Sequence, residues 1–294
     1  MEKDTFEVIC DDDVQLKGIL FIPKNPKAVV QLNCATGTKK EIYIAFLSYL
    51  ADNNYLCCLW DYRGSGDSSA DNLKNCNFTY SDYGQKDMPA IKSYLQGRYP
   101  HLPMFMIGHS TGGQQIGFIA DITNIYGVIN FAVSSGYYPN MPIKYRLRAY
   151  FFFYIFSPLS VLINGYVRAR PYGFMENLPK NVVYEWRDWL EKEDYFFDKK
   201  FYGKTVPIGH FKTFPFPIHI YWATDDTISN EKNTKAFWRN IHSEATITYT
   251  KLTPKDYQVS KIDHFGFFKR NMEERLWADV VQKLDSWIQN IDIT

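Results

Sequence analysis

The 294 residues suffice for two average domains or one large one, at about 150 residues per domain. With 46% hydrophobic and 22% charged residues the composition is ordinary for a globular chain, which excludes disordered, collagen-like and coiled-coil architectures; the departure is a 17% aromatic content. Net charge is +1, so no global field favours nucleic acid or another highly charged partner.

Taken in chain order, residues 6–22 read as two strands around the acidic turn Asp11-Asp12-Asp13, and Ala28–Leu32 as a buried strand. A loop, Asn33-Cys34-Ala35-Thr36-Gly37, leads to a helix at Glu41–Asp52 with Ile42, Phe46, Leu47 and Leu50 at helical spacing. Tyr55–Trp60 is the next strand, followed by Asp61-Tyr62-Arg63-Gly64-Ser65-Gly66-Asp67-Ser68 and a helix at Asp82–Tyr99. Met104–Ile107 reads as a strand, Thr111 opens a helix, and Gly127–Val133 is a strand again. Between Tyr137 and His210 the alternation stops in favour of aromatic-rich helical stretches. It resumes with a strand at Ile218–Ala223, a helix at Asn230–Ile241, a strand at Thr246–Leu252 and a helix at Glu273–Ile291. Alternating strands and helices predict an α/β fold with a mostly parallel, eight-stranded sheet covered on both faces. The division is a core at 1–136 and 211–294 with an inserted helical cap at 137–210, because a structureless loop of that length is improbable in a compact domain.

Five cysteines, Cys10, Cys34, Cys57, Cys58 and Cys76, are odd in number, and two are adjacent in a buried strand; they read as reduced, packed thiols. None stands with histidine at metal-ligand spacing, so neither a metal site nor a cofactor is expected. The N-terminal residues lack a basic start and an apolar stretch, which points to the cytoplasm.

Gly108-His109-Ser110-Thr111-Gly112 has the G-x-S-x-G pattern between a strand and a helix, the context of a nucleophile elbow. The turn is too sharp for Cβ atoms beside the serine, hence the glycines. A serine hydroxyl needs a base, and among six histidines His264, in the loop between the last strand and the last helix, is best placed. The carboxylate should follow a strand end between serine and histidine. Asp225 and Asp226 both do; Asp226 is preferred, and Asp263 is an outside choice.

These residues resemble the α/β-hydrolase superfamily from the opening hairpin to the last helix. Ala223-Thr224-Asp225-Asp226-Thr227-Ile228 is similar to its acid loop and aligns Asp226 with the acid, while Asp61 to Ser68 is similar to the D-x-R-G-x-G-x-S loop of its serine aminopeptidase and monoacylglycerol lipase-like branch. A group of bacterial predicted α/β-hydrolases looks nearest, through Ala35-Thr36-Gly37, Ser135-Gly136-Tyr137-Tyr138, Glu185-Trp186 and Asp263-His264-Phe265-Gly266-Phe267-Phe268. The resemblance implies catalytic Ser110, Asp226 and His264. It also implies an oxyanion hole built from the backbone N–H groups of Thr36 and Thr111, although Cys34-Ala35-Thr36-Gly37 stands where many relatives carry His-Gly-x-Gly. The implied activity is a serine esterase acting on a small-molecule ester or acyl substrate. Acyl transfer, an aminopeptidase-like amidase and a non-catalytic binding protein are the alternatives.

Ala149–Val167 is uncharged and long enough for a membrane span, but serines, a proline and a glycine interrupt it, and a span would tear the sheet. Residues 122–175 contain five basic and no acidic residues. A cap core packed on the body is the preferred reading, with an acyl pocket or peripheral contact with an anionic membrane as the others.

Overall fold

The structure is a computed structural model that describes residues 1–70 and 72–291. Eight strands form one sheet: β1 (Glu2–Ile9), β2 (Gln15–Ile22), β3 (Ala28–Asn33), β4 (Tyr55–Trp60), β5 (Met104–His109), β6 (Ile125–Phe131), β7 (Ile218–Ala223) and β8 (Ile247–Leu252). Their order is β1-β2-β4-β3-β5-β6-β7-β8; β2 runs antiparallel to both neighbours and the remaining pairs are parallel. Every residue of β3, β4 and β5 is buried, which is why these strands read as continuous apolar runs, whereas β1 and β8 at the edges are largely solvated.

Helices α1 (Ile44–Asp52) and α2 (Met88–Arg98) make the crossovers on either side of β3. The chain steps one way across the sheet through α1 and the other way through α2. Right-handed crossovers in opposite directions place the two helices on opposite faces. On the face of α1, Phe46 meets Trp277 edge-on at 5.5 Å, just ahead of the final helix. Between β3 and β5 the winding direction reverses, and in such sheets the crevice at the strands' carboxyl ends is where ligands bind.

The helix after β5 is shorter than its sequence suggests. α3 covers only Thr111–Gln114, with a further turn at Ile116–Phe118. Gly117 ends it: its carbonyl accepts the His210 N–H at 2.8 Å, and a Cβ there would lie 2.5 Å from the Phe211 ring.

The segment between β6 and β7 holds two helices, α4 (Ile143–Asn164) and α5 (Lys180–Leu190). α4 is continuous, with a wide π-helical turn at Phe151–Phe156, and ends at Gly165 in the left-handed conformation. By length and composition it could cross a membrane. Phe152, Phe153, Ser157 and Ser160 on it are buried in the protein, while most of its apolar stretch is not. α6 (Glu231–Trp238) and α7 (Ala278–Ile291) complete the fold. All five cysteines are free; four are buried, and burial raises their thiols above the usual range, Cys10 to about 12.

Candidate active site

β5 delivers Ser110 at the switch point. Ser110 adopts φ 52° and ψ −118°, a strained conformation for a residue with a side chain, and is held by its N–H donating to the Phe131 carbonyl at 2.9 Å. The flanking glycines are dictated by crowding: a Cβ on Gly108 would lie 2.3 Å from the Gly113 Cα, and one on Gly112 only 1.9 Å from the Asn33 carbonyl oxygen.

Because β3 adjoins β5, with Asn33 opposite Gly108, the loop after β3 arrives beside the elbow. Thr36 Oγ1 lies 2.6 Å from Thr111 Oγ1 and 2.6 Å from the Tyr80 hydroxyl, which also bonds Thr111. These three hydroxyls close a ring. The backbone N–H groups of Thr36 and Thr111 enter no hydrogen bond among the described residues, which leaves two donors beside the serine.

The acid loop separates its two aspartates. Asp226 is buried: Oδ1 accepts the N–H groups of Ile228 (2.8 Å) and Ser229 (2.9 Å), and Oδ2 lies 2.7 Å from His264 Nδ1. A carboxylate only accepts, so the proton sits on Nδ1 and Nε2 keeps its lone pair free. Asp225 instead accepts the Ile262 N–H at 2.9 Å, bracing the chain two residues before the histidine. Asp263 pairs with Lys261 and has a positive φ of 56°. Among the described residues Ser110 Oγ makes no hydrogen bond, to His264 or otherwise; such bonds commonly tighten only when substrate binds.

His109, read from sequence as the elbow's variable position, joins the loops. Its Nε2 lies 2.8 Å from the His264 carbonyl oxygen and its Nδ1 2.8 Å from the Tyr43 hydroxyl. The carbonyl can only accept, so Nε2 carries the hydrogen and Nδ1 accepts from Tyr43. The Tyr43 oxygen in turn accepts the Ala35 N–H at 3.0 Å. Burial holds the His109 imidazole well below its ordinary pKa, as does the neighbouring His264, so it stays neutral. One chain of hydrogen bonds thus pins the loop of Thr36, the elbow of Ser110 and the loop of His264.

The segment between β6 and β7 reaches the site at several points. Met175 crowds Gly37, and the Glu176 N–H donates to the Gly37 carbonyl at 2.9 Å. Glu185 accepts the Ser81 N–H at 2.8 Å, beside Tyr80; burial raises this carboxyl above its usual range. Trp186 stacks obliquely on Tyr80 at 5.5 Å, and the Tyr195 hydroxyl donates to Gln114 at 3.1 Å. Burial pushes Tyr145, on α4, up to about 12, and the carboxylates of Asp226 and Asp263 add to the shift. Tyr80, Tyr43, Gln114 and Tyr195 carry no motif, and sequence reading had no signal for them.

The loop Asp61 to Ser68 braces the sheet. Asp61 binds Lys40 Nζ (2.8 Å) and the Asp67 N–H (3.0 Å), and Arg63 is clasped by Asp12 and Asp87. Among the described residues no group of three or more His, Cys, Asp or Glu side chains is arranged to hold a metal ion.

The family model of serine aminopeptidase S33 matches residues 24–132, from the approach to β3 through β6, a stretch containing Thr36 and the whole elbow. A soluble variant of monoglyceride lipase from Saccharomyces cerevisiae, solved with a substrate analogue, superposes with a TM-score of 0.67 over 98% of this chain and 95% of its own, at 15% identity. The fold is that of the α/β-hydrolases. DcsB in complex with its substrate analogue gives a TM-score of 0.65 at 13% identity, covering 98% of this chain and 99% of that one. A thermostable carboxyl esterase from Bacillus coagulans gives 0.62 at 14% identity, with 98% and 99% covered. No curated protein sequence matches the chain. The family match stops before the acid and histidine loops, so Asp226 and His264 stand on their own geometry.

Proposed function

We propose that the protein is a serine hydrolase that cleaves a carboxylic ester, lipid-like or an acyl thioester in its finer form, through an acyl-serine intermediate. The observation that carries this reading is the buried Asp226–His264 hydrogen bond of 2.7 Å beside a serine held at φ 52°. Ser110 Oγ attacks the substrate carbonyl while His264 Nε2 takes its proton. The oxyanion is held by the N–H groups of Thr36 and Thr111, and Asp226 stabilises the imidazolium. His264 then gives the proton to the departing alkoxide or thiolate, leaving the acyl group on Ser110. Water, deprotonated by the same imidazole, attacks the acyl carbonyl, and the proton returns to Ser110 as the carboxylate leaves. The esterase and monoglyceride lipase structures that share the fold support an ester as substrate.

Residues 137–210 serve in this reading as the cap. Met175, Glu185 and Tyr195 converge on the oxyanion threonines and the elbow from one side, which suits a segment that excludes water and selects the acyl group.

A fluorophosphonate probe tests the chemistry. Wild type should label and Ser110→Ala should not, with both folded by circular dichroism; a wild type as inert as the variant overturns the assignment. A series of acyl esters of increasing chain length, compared by kcat/KM, then tests the substrate. Rising values are expected, and a preference for the shortest acyl group removes the lipid-like reading but not the triad.

A further inference from the structure

The two sides of α4 have opposite surroundings. Phe153 faces inward and meets Trp186 edge-on at 5.1 Å, and Trp186 lies on Tyr80, one hydrogen bond from the oxyanion threonines. On the outer side Ile143, Leu147, Phe151, Ile155, Leu162 and Ile163 stand in solvent with relative exposures between 48% and 81%. A helix of this length extends for about 33 Å, far more apolar surface than scattered exposed side chains make. The π-helical turn at Phe151–Phe156 contributes to its continuity. Such a turn takes up one extra residue, and that rotation brings Leu162 and Ile163 round to the side of Ile143 and Leu147.

Charge indicates what covers the stripe. Lys144, Arg146 and Arg148 lie in its first two turns and Arg168 just beyond its end, and none of the four pairs with a carboxylate among the described residues; Arg170 reaches Glu176 only at 3.7 Å. A long apolar stripe with unpaired cations at both ends fits a surface that is apolar within and anionic at its edge. We propose that α4 docks in the plane of an anionic phospholipid bilayer, inserting its outer apolar side between the acyl chains while the flanking lysine and arginines take lipid phosphates. In that pose the inward side of the same helix keeps Phe153 on Trp186, and through it on Tyr80, so the site lies on the opposite side of α4 from the lipid. The docking does not depend on the acyl-transfer chemistry of Ser110.

Co-sedimentation of the full chain with vesicles of phosphatidylcholine, with and without phosphatidylglycerol, tests the proposal. Binding to the anionic vesicles should exceed binding to the neutral ones by about tenfold or more and should weaken with added salt. The double variant L162E/I163E should lose binding by about tenfold or more while hydrolysing a short water-soluble ester as wild type does. The triple variant K144Q/R148Q/R168Q should bind both vesicle types alike. Equal or no binding of wild type to the two vesicle types overturns the proposal. So does a concentration-dependent dimer, seen by light scattering, that L162E/I163E abolishes, because the stripe is then an interface between copies. Fluorophosphonate labelling in the same samples reads the state of Ser110 separately.

Discussion

Asp225 and Asp226 are neighbours in sequence with the same chemistry, yet the structure gives them different work. Asp226 faces His264 Nδ1 with its other oxygen held by two N–H groups, whereas Asp225 braces Ile262. Asp226→Ala should therefore lower kcat by about 10³–10⁴-fold through loss of the oriented imidazole. Asp225→Ala should cost far less in rate and act mainly on stability, by about 1–3 kcal/mol for the unpaired N–H. Steady-state kinetics and urea denaturation of both variants check this, and the reverse ranking in kcat would reassign the acid. Ser110, His264 and the two aspartates were legible because motif and strand-end position are local signals. Tyr80 and the Tyr43–His109 link were not, because their roles arise only when loops far apart in sequence meet.

At the scale of elements, the elbow shows how sequence pattern and backbone geometry depend on each other. Gly112 sits where α3 passes over the end of β3, with no room for a methyl group against the Asn33 carbonyl. Gly112→Ala should cost at least about 3 kcal/mol, since the added carbon meets backbone rather than a movable side chain. A urea midpoint equal to that of wild type would show that β3 and α3 do not approach so closely. The eight strands and their flanking helices follow from periodicity, and the structure places all of them near the predicted positions. The exception is α3, cut short where Gly117 receives His210 from the segment between β6 and β7, a contact that no local propensity encodes.

For the whole molecule, two buried histidines couple stability to pH. Burial holds His109 well below its ordinary value and lowers His219, which bonds Thr248 and Thr250 across β7 and β8, to about 4. Each folded pKa lies below the unfolded value of about 6.5, so the unfolded chain binds the proton first. Their contribution is complete above about pH 6.5 and declines as the pH falls, by about 1.4 kcal/mol per pH unit per group. For His219 the decline ends near pH 4. Urea denaturation of wild type and His219→Asn between pH 7.5 and 4.5 should give a shallower acid slope in the variant; parallel curves would mean that His219 is not buried in its neutral form.

The sequence by itself determined the order of strands and helices and the elbow, because hydrophobic period, glycine placement and strand-end loops are properties of short stretches of chain. Tertiary structure alone decided what Asp225 does, how three hydroxyls close beside Ser110, and which side of α4 faces outward. The apolar run in α4 shows the reason. Its sequence reads first as a packed core, and only contacts with residues remote in the chain fix which rings are covered. The aromatic rings are mostly packed through the core, whereas the stripe that α4 leaves facing solvent is mainly aliphatic.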